Sequence, residues 1–317
     1  MDNFFTVAGQ VAILFALMGV GAALRKAKLL TDGAIEGMVN LLILVVTPCL
    51  IVDVFQRPFS PEMLSGLGLA FLIALLGHVA VILIAYLAVR HRDENVCRPM
   101  RLAAVFSNAG FMGLPLEQAI LGDTGVFYGV VYVVVFNLVM WSWGYGIMRN
   151  EELGMRNEGR SPFLNLHSVV NPGTVGIAFG LPLFFCSAKL PAIVGTPVHL
   201  IAGLNTPLAM MVIGFCLVSA KLGKVARMPV VYVATAIRLV AYPLLVIAAM
   251  YPFRHRLDHT MMVAITVSAS APVAAMVSMF ASKFCRDVDT SVAVVSGSTL
   301  LSILTMPPVV ALAMSVL

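Results

Sequence analysis

Long apolar segments, each about long enough to cross a lipid bilayer as a helix, follow one another along almost the whole chain. A membrane-spanning helix needs about 20 largely apolar residues. Only 11% of the residues are charged, whereas a soluble globular domain has about 25%, so the chain cannot cover a water-facing surface. The strands of a membrane barrel would alternate in polarity over segments of about ten residues, and these runs do not. The sequence therefore predicts an all-α integral membrane protein.

The apolar runs between charged or turn-rich breaks give ten predicted spans. They cover residues 4–24, 33–54, 64–89, 99–121, 124–148, 169–188, 192–219, 229–251, 260–283 and 290–316. A polar stretch divides them five and five, and a five-span unit in tandem enters the membrane from opposite sides, which is the inverted-repeat plan of many transporters. We therefore predict a first repeat at 1–148, a cytoplasmic linker at 149–168 and a second, inverted repeat at 169–317.

The distribution of Lys and Arg predicts the orientation. If the loop after span 1 is cytoplasmic, that side of the membrane has 15 of the 20 basic residues, the other side has four, and Arg238 lies inside span 8. Cytoplasmic loops are the ones enriched in Lys and Arg, so both termini are expected on the outer side of the cell inner membrane. Because the basic residues lie between spans, the net charge of +5 does not indicate a nucleic-acid partner.

Spans 4 and 9 occupy corresponding positions in the two halves, and both contain helix-breaking residues. These are Asn108, Gly110, Gly113 and Pro115 in span 4, and Ser268, Ser270 and Pro272 in span 9. Proline removes a backbone donor and clashes with the preceding turn, so each span is expected to unwind just before its proline. Matched breaks in the two halves of a membrane protein indicate a transport site, although membrane helices also tolerate ordinary proline kinks.

A helix that begins at Pro115, and another that begins at Pro272, would point unpaired N–H groups and positive dipole ends towards mid-membrane. Two such helix ends together would form a binding site for a carboxylate. Asn108 would add an amide donor and Gly113 belongs to the same break. The hydroxyls of Ser268 and Ser270 would either donate to the substrate or bond back to their own helix.

Five further polar residues in the spans each have two interpretations. Glu117 either satisfies the first turn of its own helix or is a protonatable coupling site. Arg238 either stabilises the helix bundle by bonding to carbonyls at a broken helix or neutralises the substrate. It must face protein because a charge in a span costs about 2.5–3.5 kcal/mol. His78 is a packing residue or a titrating one. Asn137 and Asn205 are polar contacts between helices or substrate ligands.

The chain resembles the auxin efflux carrier family, the bacterial relatives of the plant auxin exporters. The stretch Asn108-Ala-Gly-Phe-Met-Gly-Leu-Pro115-Leu116 is similar to the fourth-helix motif of the family. Similarity to its ninth helix runs from Ala269-Ser-Ala-Pro272 to Phe280-Ala-Ser-Lys283-Phe284, and Arg238-Leu-Val is similar to its eighth. The resemblance implies ten helices, helices 4 and 9 crossing at their breaks, and an elevator-like motion of a transport domain against a scaffold. It also implies that Asn108, Pro115 and Pro272 line the substrate site.

Together these features predict a secondary transporter of small organic anions, such as malate-, malonate- or auxin-like acids. Its expected partners are the anion, a coupling proton or sodium ion, the lipid bilayer and a second copy in a homodimer. The alternative is a cation/proton antiporter with the same crossed helices, which needs mid-membrane carboxylates where the chain offers only Glu117. Zinc-helix and nucleophile-elbow motifs are missing from the sequence, so no enzyme, cofactor or metal is predicted.

Overall fold

A computed structural model of the chain describes residues 2–149, 172–218 and 228–317. We number eleven helices in these ranges, counting a helix and any tighter or wider turn that continues it as one. They are α1 (Asp2–Lys26), α2 (Asp32–Phe55), α3 (Pro61–Ala88), α4 (Glu94–Val105), α5 (Ala109–Met148), α6 (Pro172–Phe185), α7 (Ala192–Leu217), α8 (Pro229–Phe253), α9 (His259–Ser270), α10 (Met276–Lys283) and α11 (Val288–Val316). The predicted linker, apart from Arg149, falls outside the described residues.

Seven of the described helices contain segments long and apolar enough to cross a membrane: α1, α2, α3, α5, α7, α8 and α11. The shorter α6 is apolar as well. The prediction of a multi-pass, helical membrane protein is thereby confirmed, while the ten-span inverted repeat stays a prediction.

The two predicted broken spans are each divided into two helices. Span 4 consists of α4 and the beginning of α5, separated at residues 106–108, and span 9 consists of α9 and α10, separated at residues 271–275. Helix α5 then continues through the predicted span 5 and bends at Gly122, whose φ of 65° suits a residue without a side chain. The breaks therefore lie in the spans where the sequence predicted them.

Three prolines inside the spans are each preceded by a π-helical turn that ends two residues earlier. These turns are Leu42–Val46 before Pro48, Ala109–Gly113 before Pro115, and Ile237–Ala241 before Pro243. A proline ring clashes with the carbonyl four residues back and leaves it without a donor. The wider π-turn, which bonds five residues back, carries the helix into the proline without unwinding it.

Helices α1 and α7 make backbone contact through two glycines. A side chain on Gly21 would overlap the backbone of Met211, and one on Gly214 would overlap the backbone of Met18. In lipid, such small residues let helices approach closely enough for favourable van der Waals packing.

Helices α6 and α2 make a similar contact. A Cβ on Gly176 would lie 3.0 Å from that of Ile51, and one on Gly180 would lie 3.0 Å from that of Phe55. Each close pair therefore joins one helix from the first half of the chain to one from the second.

Candidate functional site

The two breaks meet in the middle of the molecule, and we call the pairing of residues 106–108 with residues 271–275 the crossover. The Asn108 N–H donates to the Pro272 carbonyl over 2.6 Å, and the Ala274 N–H donates to the Phe106 carbonyl over 2.9 Å. Between these bonds, Ser107 and Val273 form an antiparallel bridge. The backbone groups released by one break thus satisfy those released by the other, as non-helical backbone at membrane depth requires.

Local sequence explains the shape of the second break. The residue before a proline is driven out of the helical conformation, and Ala271, at φ −61° and ψ 148°, is extended. The Val273 N–H donates to the Ser298 Oγ of α11 over 3.1 Å. Helix α11 therefore supplies a partner that the crossover alone lacks.

The predicted starting points of the two half-helices are wrong. The first begins at Ala109 rather than Pro115, because the π-turn lets the helix continue through the proline. The second begins at Met276 rather than Pro272, because residues 271–275 are used in the crossover. Pro115 and Pro272 shape the breaks, but the helix ends lie elsewhere.

The first turn of α5 has unused hydrogen-bond donors. Within the described part of the chain, the N–H groups of Ala109, Gly110 and Phe111 have no acceptor, as expected at a helix start. Asn108 precedes them, and its amide neither caps the helix nor bonds to another described residue. A side chain added at Gly110 would meet no atom within 4 Å. Space, free donors and a positive dipole end therefore coincide at this point.

Glu117 lies further along α5 and is completely buried. The Ser268 hydroxyl of α9 donates to Glu117 Oε1 over 2.6 Å. Next to this bond, a Cβ on Gly113 would lie 3.4 Å from the Ser268 Oγ, so α5 and α9 touch here. The first-turn interpretation of Glu117 is wrong, because the helix begins at Ala109 and the carboxyl bonds to the other half of the chain.

Arg238 is completely buried in α8. Its guanidinium donates to the Val105 carbonyl over 2.7 Å and also to the Ala269 carbonyl. These carbonyls belong to the last turns of α4 and α9, where the helix dipole is negative. The guanidinium also lies over the Tyr242 ring, 4.6 Å from its centroid.

His78 lies near Arg238 in a buried aromatic cluster. Its Nδ1 donates to the Ala74 carbonyl over 2.8 Å, and Nε2 has no partner among the described residues. The hydroxyls of Tyr132 and Tyr242 are 3.4 Å apart, and the Ser107 hydroxyl is 3.5 Å from that of Tyr132. A chain of hydroxyls therefore runs from beside Arg238 to the crossover.

Three other predicted ligands have no described contact with the free donors. The Asn137 amide donates to the Val133 carbonyl of its own helix over 2.8 Å, and the Ser270 hydroxyl donates to the Val267 carbonyl over 2.9 Å. Asn205 is buried in α7 just after a turn at residues 203 and 204. Their part in substrate binding stays a prediction.

Several residues around the crossover were missed by sequence reasoning, among them Ser298, Tyr132 and Gly129. For Ser298 a signal exists, because Ser291, Ser298 and Ser302 share one buried face of α11 at helical spacing. A hydroxyl-rich face in an apolar span indicates a polar neighbour. Nothing in the local sequence marks Tyr132 or Gly129.

The chain is similar to one described family of proteins. The model of a family described as membrane transport protein matches residues 6–310 of the chain. A comparison with curated proteins gave no significant match.

Proposed function

The chain belongs to the membrane transport protein family, that of the auxin efflux carriers, and on this premise we propose that it carries small organic anions across the membrane. The observation that carries the proposal is the group of free donors at the start of α5. Three backbone N–H groups and the side-chain amide of Asn108 lie there without a described acceptor. A carboxylate supplies the acceptors and the negative charge that such a helix start favours.

The arrangement of the helices supports the proposal of two inverted repeats. In an inverted repeat, α1 would correspond to α6, and α2 to α7. The contact of α1 with α7 then has its counterpart in the contact of α6 with α2, and glycines mediate both. Thr47-Pro48 and Thr206-Pro207 also fall in the corresponding helices. These features support two five-span repeats.

We propose that these four helices form a scaffold against which the crossover moves as an elevator. The anion site at Asn108 would then face each side of the membrane in turn, as in alternating access around a midplane site. Both termini would lie on the outer side of the cell inner membrane.

Single cysteines test this topology. In a background without the native cysteines, we expect cysteines placed at Arg92 and Arg256 to react with an impermeant reagent from opposite sides of the membrane. Reaction of both from outside intact cells would contradict the orientation.

A binding screen tests the substrate class. Purified protein would be melted with malonate, malate and an aryl acetate, each paired with its uncharged amide. A ligand at about 100 times its Kd stabilises a protein by about 2.7 kcal/mol, so a binding acid should raise the melting temperature and its amide should not. Stabilisation by sodium ions and by none of the acids would favour the antiporter.

Counterflow of the stabilising acid into proteoliposomes then separates transport from binding. Labelled acid should accumulate transiently in vesicles preloaded with unlabelled acid, and Asn108→Asp should abolish the accumulation. Binding without counterflow would instead indicate a sensor.

A further inference from the structure

Among the side chains that the structure describes, Glu117 is the only acid that is buried. Glu117 lies in α5, the membrane-spanning helix that begins at the crossover. It is not part of the anion site that we propose at Asn108. An ionised carboxylate in such surroundings needs a cation or several hydrogen-bond donors.

The described contacts supply only one donor. The Ser268 hydroxyl bonds to Oε1, whereas Oε2 is buried without a partner. The ion pairs among the described residues do not involve Glu117. One hydrogen bond and no cation suit a neutral carboxylic acid far better than a carboxylate.

The packing around Glu117 leaves space for its carboxyl group. A Cβ on Gly129, in the later part of α5, would overlap both Oε2 and the carboxyl carbon. The space that a side chain would occupy at Gly129 is therefore filled by the acid of Glu117. The packing at this point is therefore fitted to the carboxyl group of Glu117.

Other ionisable groups lie on the helices packed around Glu117. They include His259 on α9, Cys216 on α7, Arg25 on α1, Asp53 on α2, His78 on α3, and Asp123 and Tyr128 on α5 itself. None of these forms a hydrogen bond or an ion pair with the Glu117 carboxyl in the described structure. The charge state of Glu117 therefore depends on its burial and on Ser268.

We propose that Glu117 and Ser268 form a proton-binding site, and that the proton bound there crosses the membrane with the anion. In the closed packing of α5 on α9 the group is a carboxylic acid. When that contact opens to water, the acid gives its proton to a water molecule and becomes a carboxylate; the reverse step takes a proton from hydronium and leaves water. The packing of α5 on α9 and the binding of the proton are thereby linked.

Infrared spectroscopy tests the proton site without any substrate. An ordinary Glu titrates near pH 4.3, so at pH 7 only a buried acid gives a carboxylic-acid C=O band. We expect this band in the wild type and in Glu36→Gln, a control at an exposed acid, but not in Glu117→Gln. Identical spectra for the wild type and Glu117→Gln would overturn the proposal.

A second variant keeps the test decisive if Glu117→Gln does not fold. Ser268→Ala retains the acid but removes its hydrogen-bond donor, so the same band should persist at a shifted frequency. A band at the wild-type frequency would show that the protonated acid lies elsewhere.

The coupling of the proton to the anion rests on the proposed function and has a separate readout. With the membrane potential clamped at zero, an inward proton gradient should raise malonate uptake into wild-type and Glu36→Gln proteoliposomes severalfold. Glu117→Gln should lose this stimulation and keep malonate counterflow. Stimulation in Glu117→Gln equal to the wild type would overturn the coupling. If no protein transports malonate but the infrared band depends on Glu117, the proton site stands and the substrate assignment fails.

Discussion

Two carboxyl ends of helices and the amino end of α5 meet at the crossover, and the protein treats the carboxyl ends differently from this amino end. The carboxyl ends of α4 and α9 are covered, because Arg238 donates to a carbonyl of each. The amino end of α5 is left open, because three backbone N–H groups and the side-chain amide of Asn108 have no partner among the described residues. The buried cation thus bonds to the protein's own carbonyls, and the open end is the site that we propose for a negatively charged ligand.

The largest effect is expected from replacing Arg238, the cation that bonds to the carboxyl ends of α4 and α9. Arg238→Met leaves two buried carbonyls without donors, at about 1–3 kcal/mol each, so the free energy of unfolding should fall by about 2–6 kcal/mol. Thermal melting of the purified protein measures this, with Arg238→Lys as a control that keeps the charge but has a shorter reach. A melting temperature equal to the wild type would show that the ends do not need covering.

A charge placed at the open end should act on binding rather than on folding. Asn108→Asp is nearly isosteric, and two unit charges about 4 Å apart repel by about 4 kcal/mol at an effective dielectric near 20. Since about 1.4 kcal/mol is tenfold in affinity, anion binding should weaken nearly a thousandfold, most strongly at high pH where the new acid is ionised. Titration calorimetry with the acid from the screen measures the loss.

Asn108→Ala provides the matched smaller change. It removes one hydrogen bond to a charged group, which is about 1.5–3 kcal/mol, with little dependence on pH. Wild-type affinity in well-folded Asn108→Asp at pH 8 would place the anion site elsewhere.

The smallest effect tests whether α11 supports the crossover. Ser298→Ala leaves the buried Val273 N–H of the crossover without its acceptor, which should cost about 1–3 kcal/mol. Ser296→Ala, on the same helix, is the control. Equal melting temperatures for the two variants would show that the crossover does not depend on α11.

The sequence predicted the broken spans because proline chemistry is local. Pro272 fixes its break through the conformation of Ala271, and this follows from two adjacent residues. Pro115 misled the prediction, because whether a helix unwinds or widens before a proline depends on packing. The unwinding actually occurs at residues 106–108, where the partner is the second break.

The contacts of the buried charges could not be derived from the sequence. Ser268 and Glu117 are 151 positions apart, and Arg238 reaches a carbonyl 133 positions away. A backbone carbonyl carries no residue identity, so no motif records it as the partner of an arginine. Composition shows only that such a charge must face protein.

The glycine contact between α1 and α7 has a consequence for how the protein is made. Helix α1 leaves the ribosome well before Met211 and Gly214 of α7 are synthesised. Until α7 is synthesised, α1 must therefore persist in lipid without this neighbour, which it can do because a helix satisfies its own backbone hydrogen bonds. Assembly of this part of the protein is consequently a late event in biogenesis, after insertion of the individual helices.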